Sequence, residues 1–258
     1  MCSPKLVQAP TVVAPARTRL AKTSLTTTPR VSPRRAAAAD SRPTVDIGEQ
    51  RIYHVTHVSN LEGILARRKI LASGNDAWNG EPPVDISSTG NRTARQGVAV
   101  AGPGSPVVAD YVPFFLSPNS TVWEGIRAGT PDGRISDAAL AVAPSDFVIL
   151  VSTVKSAMGL YDGAFNVVVT DGDAVGPLTR FGSSADTFER LLRRLVAGKD
   201  SDVTLGAEFL VREAFPVELI TLIGVANDRA RSTVRTTLEG SSHQPRVALY
   251  PPWFVRPE

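Results

Sequence analysis

Gly206-Ala207-Glu208-Phe209-Leu210-Val211 sets one carboxylate at the head of an apolar run, and the fold follows from how that run is read. Phe209 to Val211 has the length and composition of a buried strand. A carboxylate beside it is costly unless it finds partners. Glu208 therefore stands either at an exposed strand edge or in a cleft, and periodicity alone leaves both open. Working outward, Phe147 to Val151, Phe165 to Thr170 and Leu219 to Val225 also read as buried strands. Between them, Asp186 with Glu189 forms a capping box ahead of Phe188, Leu191, Leu192, Leu195 and Val196, the spacing of an amphipathic helix. Further out, Ile52, Tyr53 and Val55 are strand-like. Ser59 or Asn60 then offers an N-cap to a helix carrying Leu61, Ile64 and Leu65. Residues 72 to 107 have little apolar period and much Gly, Pro, Ser and Asn, which predicts a long loop of the kind that carries function. The class is mixed α and β, with no internal repeat and no glycine-rich phosphate loop.

The 258 residues, 42% of them hydrophobic and 21% charged, suit one globular domain plus a tail. We place the boundary after residue 45. Residues 1–45 are a disordered basic extension, and residues 46–258 are the domain. With Cys2 as the only cysteine, neither a disulfide framework nor a cysteine zinc site can be built. The longest apolar runs are strand-sized, far short of the roughly 20 residues that cross a bilayer. A soluble, cytoplasmic monomer with no membrane partner is expected.

The net charge of +3 hides an asymmetry, because residues 1 to 39 hold seven Lys or Arg and no Asp or Glu. The rest of the chain carries 21 basic against 25 acidic residues, so its bulk charge does not argue for nucleic acid. Six prolines and no sustained apolar period keep the tail from burying enough to fold. It is a solvated tail, a basic arm for phosphates, or an organelle transit peptide.

Tyr53-His54-Val55-Thr56-His57 holds two histidines, but positions 54 and 57 of a strand point to opposite faces and cannot chelate one metal ion. No metal site is expected. His54 and Thr56 share a face, where they are either ordinary strand residues or a ring nitrogen and a hydroxyl offered to a polar ligand. Arg92 and Arg95 are either solvated loop charges or forks for an anion. There is no serine nucleophile elbow, and Asp171-Gly172-Asp173 lacks the remaining ligands of a calcium loop. Acyl transfer and metal-assisted hydrolysis are therefore only weakly supported.

Four segments in order resemble the DarT family, the DNA ADP-ribosyltransferase toxins of toxin–antitoxin systems. They are Tyr53 to His57 with Asn60-Leu61 and Ile64-Leu65; Asp110-Tyr111-Val112-Pro113-Phe114-Phe115; Thr170-Asp171-Gly172; and Ala207 to Val211 with Phe215-Pro216 and Glu218-Leu219-Ile220. The resemblance runs from about residue 50 to about 255. It implies an α+β ADP-ribosyltransferase fold, in which two small twisted sheets flanked by helices form a cleft for NAD. It also implies transfer of ADP-ribose from NAD to a base of single-stranded DNA, thymidine first among them, with release of nicotinamide. A macrodomain-type ADP-ribosyl hydrolase antitoxin is the implied partner. Glu208 is implied as the catalytic carboxylate. His54, Val55 and Thr56 are implied at the nicotinamide and ribose end of the cleft, with Gly63 and Leu71 as further NAD contacts. Arg92 is implied as the catalytic and NAD-binding arginine, with Val98 set against the valine that follows the family's arginine by six residues. Because an arginine pKa above about 12 makes a poor base, Arg92 is expected to stabilise the base anion and the pyrophosphate.

Two departures bear on the acceptor. The family usually has Pro-Arg-Ser-Pro where this chain has Pro118-Asn119-Ser120-Thr121, so a positive charge is gone. The family's basic loop before the glutamate, which normally meets the acceptor, is here Asp200-Ser201-Asp202-Val203-Thr204-Leu205-Gly206, acidic and apolar. Both losses weaken DNA binding unless the basic tail compensates. Guanine, RNA or a protein side chain remain alternative acceptors. A module that holds NAD or nucleic acid without turnover is the alternative outside enzymology.

Overall fold

The computed structural model describes residues 46–78, 82–160, 166–198 and 201–256. The basic extension, Phe165 and Asp200 lie outside the described residues. β1 (Arg51–His57) leads through α1 (Leu61–Arg67) to β2 (Lys69–Leu71). Next come α2 (Thr89–Gly97), β3 (Tyr111–Phe115), α3 (Thr121–Ala128), α4 (Asp137–Leu140), β4 (Phe147–Thr153) and α5 (Val154–Met158). β5 (Val167–Thr170), β6 (Phe181–Gly182), α6 (Ala185–Ala197), α7 (Asp202–Gly206), β7 (Glu208–Arg212) and β8 (Ala214–Pro216) follow. β9 (Leu222–Val225), α8 (Asp228–Leu238) and β10 (Arg246–Leu249) complete the elements.

The main sheet has the order β10-β9-β4-β1-β3-β7-β5-β6, and β2 pairs with β8 as a separate small sheet. One joint of the main sheet is weak. β1 and β4 are paired along seven residues, whereas β1 meets β3 only at Tyr53 and Phe115. Continuing that ladder would set Val55 opposite Pro113, and proline has no N–H to give. The ladder stops there. His54 Nδ1–H instead donates to the Pro113 carbonyl at 2.8 Å, a side-chain bond across the gap. That joint leaves a four-stranded half on either side of one eight-stranded sheet, beside the separate two-stranded β2–β8 sheet.

Packing on the two faces differs in the same sense. On one face Ile52, Val112, Phe114, Val148, Phe209 and Phe215 share one core with α1, α6 and α8. This core joins the halves. Phe114, Phe209 and Phe215 are fully buried, and each is worth roughly 1.5–3 kcal/mol by area. On the other face the halves keep separate cores. Trp123, Phe147 and Ile149 pack under α3 and α4, while Val108, Tyr111, Val168 and Leu210 form a second cluster. The cleft opens between them.

Of the two places left open for Glu208, the exposed edge falls away: β7 lies between β3 and β5, and the residue is 5% exposed. Other expectations are corrected. Residues 89–97 are a helix within the supposed long loop. Ser88 caps it, its Oγ accepting from the Asn91 amide at 3.0 Å and donating to the Gly133 carbonyl at 2.6 Å. Its sequence, Thr-Gly-Asn-Arg-Thr-Ala-Arg-Gln-Gly, has no apolar stripe to betray it. The box at the start of α6 is formed by Ser184 and Thr187, two residues earlier than Asp186 and Glu189. Asn60 precedes α1 without capping it, because its amide is spent elsewhere. Leu219 ends a 3₁₀ turn, and the strand after it begins at Leu222.

Gly224 in the interior strand β9 marks a close approach, since a Cβ there would fall 2.6 Å from the Trp253 ring. Gly224→Ala is expected to cost about 1–3 kcal/mol through forced displacement of that ring. Urea unfolding monitored by tryptophan fluorescence measures it, and a change below about 0.5 kcal/mol would contradict the packing.

Candidate active site

A cavity of about 550 Å³ occupies the cleft, within the range of small-molecule and cofactor sites. At its floor Glu208 is held by two donors. Arg95 Nη1 lies 2.9 Å from Oε2 and 3.3 Å from Oε1, and the Ala174 amide donates to Oε1 at 2.9 Å. Both side chains of the ion pair are nearly enclosed, at 10% exposure for Arg95 and 7% for Glu208. Arg95 Nη2 is buried and has no hydrogen-bond partner among the described residues. Such an orphaned charged donor on a cavity wall is costly unless a ligand accepts from it.

Arg92 lies one turn before Arg95, on the same face of α2, and also lines the cavity. Its guanidinium pairs with Asp85, itself a cavity residue, and both side chains are about one fifth exposed. The arginine singled out in the sequence therefore faces the cleft, but the arginine that touches Glu208 is Arg95. Three residues of offset within a segment lacking apolar landmarks separate them. In the sequence the two arginines are related only by their three-residue spacing, which means one face only because residues 89–97 are helical.

The other expected residues also meet at this cavity. His54, Val55 and Thr56 line it from β1, Gly63 from α1 and Leu71 from β2. Burial pushes the His54 pKa below its ordinary value, against the smaller opposing effect of its bond to Pro113. With Nδ1–H spent on that carbonyl, Nε2 is left as an acceptor on a neutral ring. His57 turns to the opposite side, where Nδ1 accepts from Ser59 and caps the following 3₁₀ turn. Thr56 Oγ1 accepts from Asn60 Nδ2 at 3.0 Å. The same amide clasps the backbone of Val84, at 2.7 Å and 3.1 Å, and so ties the 82–88 segment over the cavity. Tyr111 also lines the site, with its phenol pushed up to about 12 chiefly by burial. It is a neutral hydroxyl at physiological pH.

A second, shallower groove of about 830 Å³ borders the cavity through Asp173. Leu178, 92% exposed, and Val203, 49% exposed, are its apolar walls. Arg180 and Arg194 stand beside them, both paired to Asp171. Val203 belongs to α7, so the stretch before Glu208 is a capped helical turn rather than a loop. At the other departure, Asn119 Oδ1 accepts from Arg127 Nη1 at 3.2 Å. Arg127 is buried behind it and also donates to the Val255 carbonyl at 3.0 Å.

Residues 53–255 match the family model described as "ssDNA thymidine ADP-ribosyltransferase, DarT". A DNA ADP-ribosyl transferase of Thermus sp. (strain 2.9) is 28% identical over 213 residues, covering 79% of this chain and 95% of that protein. A Mycobacterium tuberculosis (strain ATCC 25618 / H37Rv) protein of the same description is 25% identical over 205 residues, 73% of this chain and 81% of that one. Among solved structures, Thermus sp. 2.9 DarT in complex with ADP-ribosylated ssDNA superposes with a TM-score of 0.65 at 26% identity. That match covers 80% of this chain and 96% of the other. The same protein in complex with NAD+ gives 0.62 at 28% identity, over 80% and 98% of the two chains. Among the described residues no helix is long and apolar enough to cross a membrane.

Proposed function

The chain belongs to the DarT family of ssDNA thymidine ADP-ribosyltransferases, and on that footing we propose that it moves ADP-ribose from NAD onto thymine in single-stranded DNA. The observation that carries this is the enclosed Arg95–Glu208 pair on the wall of a cofactor-sized cavity, with Arg95 Nη2 still to be satisfied. When the C1′–N bond of the nicotinamide riboside breaks, its electron pair leaves with nicotinamide and positive charge develops on the ribose. A fixed carboxylate aimed at that charge stabilises the transition state more than the ground state. Glu208 is that carboxylate, and Arg95 with the Ala174 amide keeps its two oxygens from turning away. The thymine ring nitrogen, its proton passed to solvent water, then bonds to C1′ through the electron pair of the resulting base anion.

His54 Nε2, with Val55 and Thr56, faces the nicotinamide and ribose end in this proposal, while Gly63 and Leu71 line the remainder. Arg92 serves the pyrophosphate or the base anion, with Asp85 holding it in place. The acceptor strand is assigned to the groove beside Asp173, where Leu178 and Val203 offer apolar surface to unstacked bases. A macrodomain-type hydrolase that removes the mark completes the proposal as a partner protein.

Incubation with labelled NAD and separate pools of single-stranded DNA, RNA and protein tests this directly. Label on a thymine ring nitrogen of the DNA, located by mass spectrometry, is the expected result. Label confined to RNA or protein would move the acceptor elsewhere and leave the donor chemistry standing.

A further inference from the structure

Thr170-Asp171-Gly172 is a motif to which no substrate contact has been given, and the structure sets it directly behind Glu208. Thr170 is fully buried, and its hydroxyl works in both directions. It accepts from the Glu208 amide at 2.9 Å and donates to the Gly172 carbonyl at 2.6 Å. The first bond fixes the backbone from which the carboxylate springs. The second folds the chain after β5, so that the next residues return to Glu208 and the Ala174 amide reaches Oε1 at 2.9 Å.

Asp173 braces the same turn. Its Oδ1 accepts from the Val175 amide at 3.0 Å, and its carbonyl accepts from Thr179 Oγ1 at 2.6 Å. Its Oδ2 meets Arg134 Nη1 at 3.4 Å. Arg134 comes from the connection between α3 and α4, which pack on the other half of the sheet, and Asp132 grips it at 2.7 Å. The Arg134–Asp173 pair therefore ties the two halves together beside the cavity, one residue from the amide that holds the carboxylate.

We propose that Thr170 and the Arg134–Asp173 pair are positioning residues for Glu208, fixing the turn after β5 so that the Ala174 N–H stays on Oε1. The proposal rests on Glu208 being the catalytic carboxylate. A carboxylate of this kind acts through its aim at the ribosyl centre, so loosening its support costs rate more than it costs substrate affinity. Groups that orient a catalytic side chain from behind typically carry about 10–100-fold in activity.

The experiment measures kcat for transfer, KM for NAD and NAD affinity by calorimetry in Thr170→Val, Thr170→Ser, Arg134→Ala, Asp173→Asn and the Arg134→Ala/Asp173→Asn pair. Glu208→Gln is run in the same assay. Thr170→Val, which keeps shape and loses both hydrogen bonds, is expected to lower kcat at least about tenfold while KM and affinity for NAD stay within about threefold. Thr170→Ser should restore most of the loss. Arg134→Ala and Asp173→Asn should each lower kcat, and together no further than the worse single change, as members of one unit do. If Thr170→Val does not fold, the Arg134 and Asp173 variants decide alone, since both side chains are about a quarter exposed. A loss that appears in KM with kcat intact, an unchanged kcat, or a serine no better than valine would overturn the proposal. Should Glu208→Gln be as active as the parent, the catalytic assignment fails and this proposal with it. An inactive Glu208→Gln beside fully active positioning variants would overturn the positioning alone.

Discussion

Replacing Glu208 by Gln is expected to lower kcat for both nicotinamide release and DNA labelling by roughly 10³-fold, the scale on which one preorganised electrostatic group acts in a water-excluded site. Gln keeps the volume, and its carbonyl oxygen still accepts from the Ala174 amide. What it removes is the negative charge that, in the mechanism we propose, meets the developing ribosyl cation, and with it the counter-charge of Arg95. NAD binding should survive, because the loss falls on an interaction made in the transition state rather than the ground state. Calorimetry for NAD and a continuous assay for nicotinamide separate the two effects. Equal rates for parent and variant would show that another group stabilises the cation, and the cavity would need a new catalytic centre.

Arg95→Met is expected to reach further into stability than any surface change in this chain. It strands Glu208 as an unpaired charge at 7% side-chain exposure. Breaking one partner of a buried pair typically costs about 3–5 kcal/mol, because the remaining ion has lost both water and counter-charge. Denaturant unfolding at constant m-value measures the loss. The double variant Arg95→Met/Glu208→Gln should recover much of it, since neither ion is then left alone. Recovery is the diagnostic outcome; additive losses would mean that Arg95 contributes by packing rather than by charge. Arg92→Met should cost less, as the Arg92–Asp85 pair is more exposed to solvent. If the order of these two arginines were reversed, the assignment of Arg95 as the partner of Glu208 would fail.

These two variants also mark what was legible beforehand. The strands were visible because their apolar runs are short, dense and bounded, as in Phe147 to Val151 and Phe209 to Val211. The amphipathic helix after Ser184 was visible for the matching reason, a stripe at period 3.6. α2 was not, since a helix that buries an arginine instead of a leucine carries no such stripe. Without the helix, Arg92 and Arg95 read as loop charges or anion forks, the resemblance singles out Arg92, and nothing in their order tells which one meets the carboxylate. α7 was missed likewise, its five residues being too few for a period to declare itself.

The dense apolar strands, the striped helix after Ser184 and the placing of a carboxylate at position 208 are local properties, and local chemistry in the sequence determined them. Pro113 belongs to the same group: a residue without an N–H carries its gap in the ladder wherever it is placed. That Val55 stands across from that gap is a matter of register, and register exists only between strands distant in sequence. The tertiary structure alone reduced the β1–β3 joint to a single pair and left separate cores on either side of a cleft. It also brought Arg95, Glu208 and the Ala174 amide within hydrogen-bond distance across separations of 113 and 34 residues. Glu208 could be read as costly from its neighbours in sequence. What offsets that cost comes from distant segments, through contacts that only the packed fold creates.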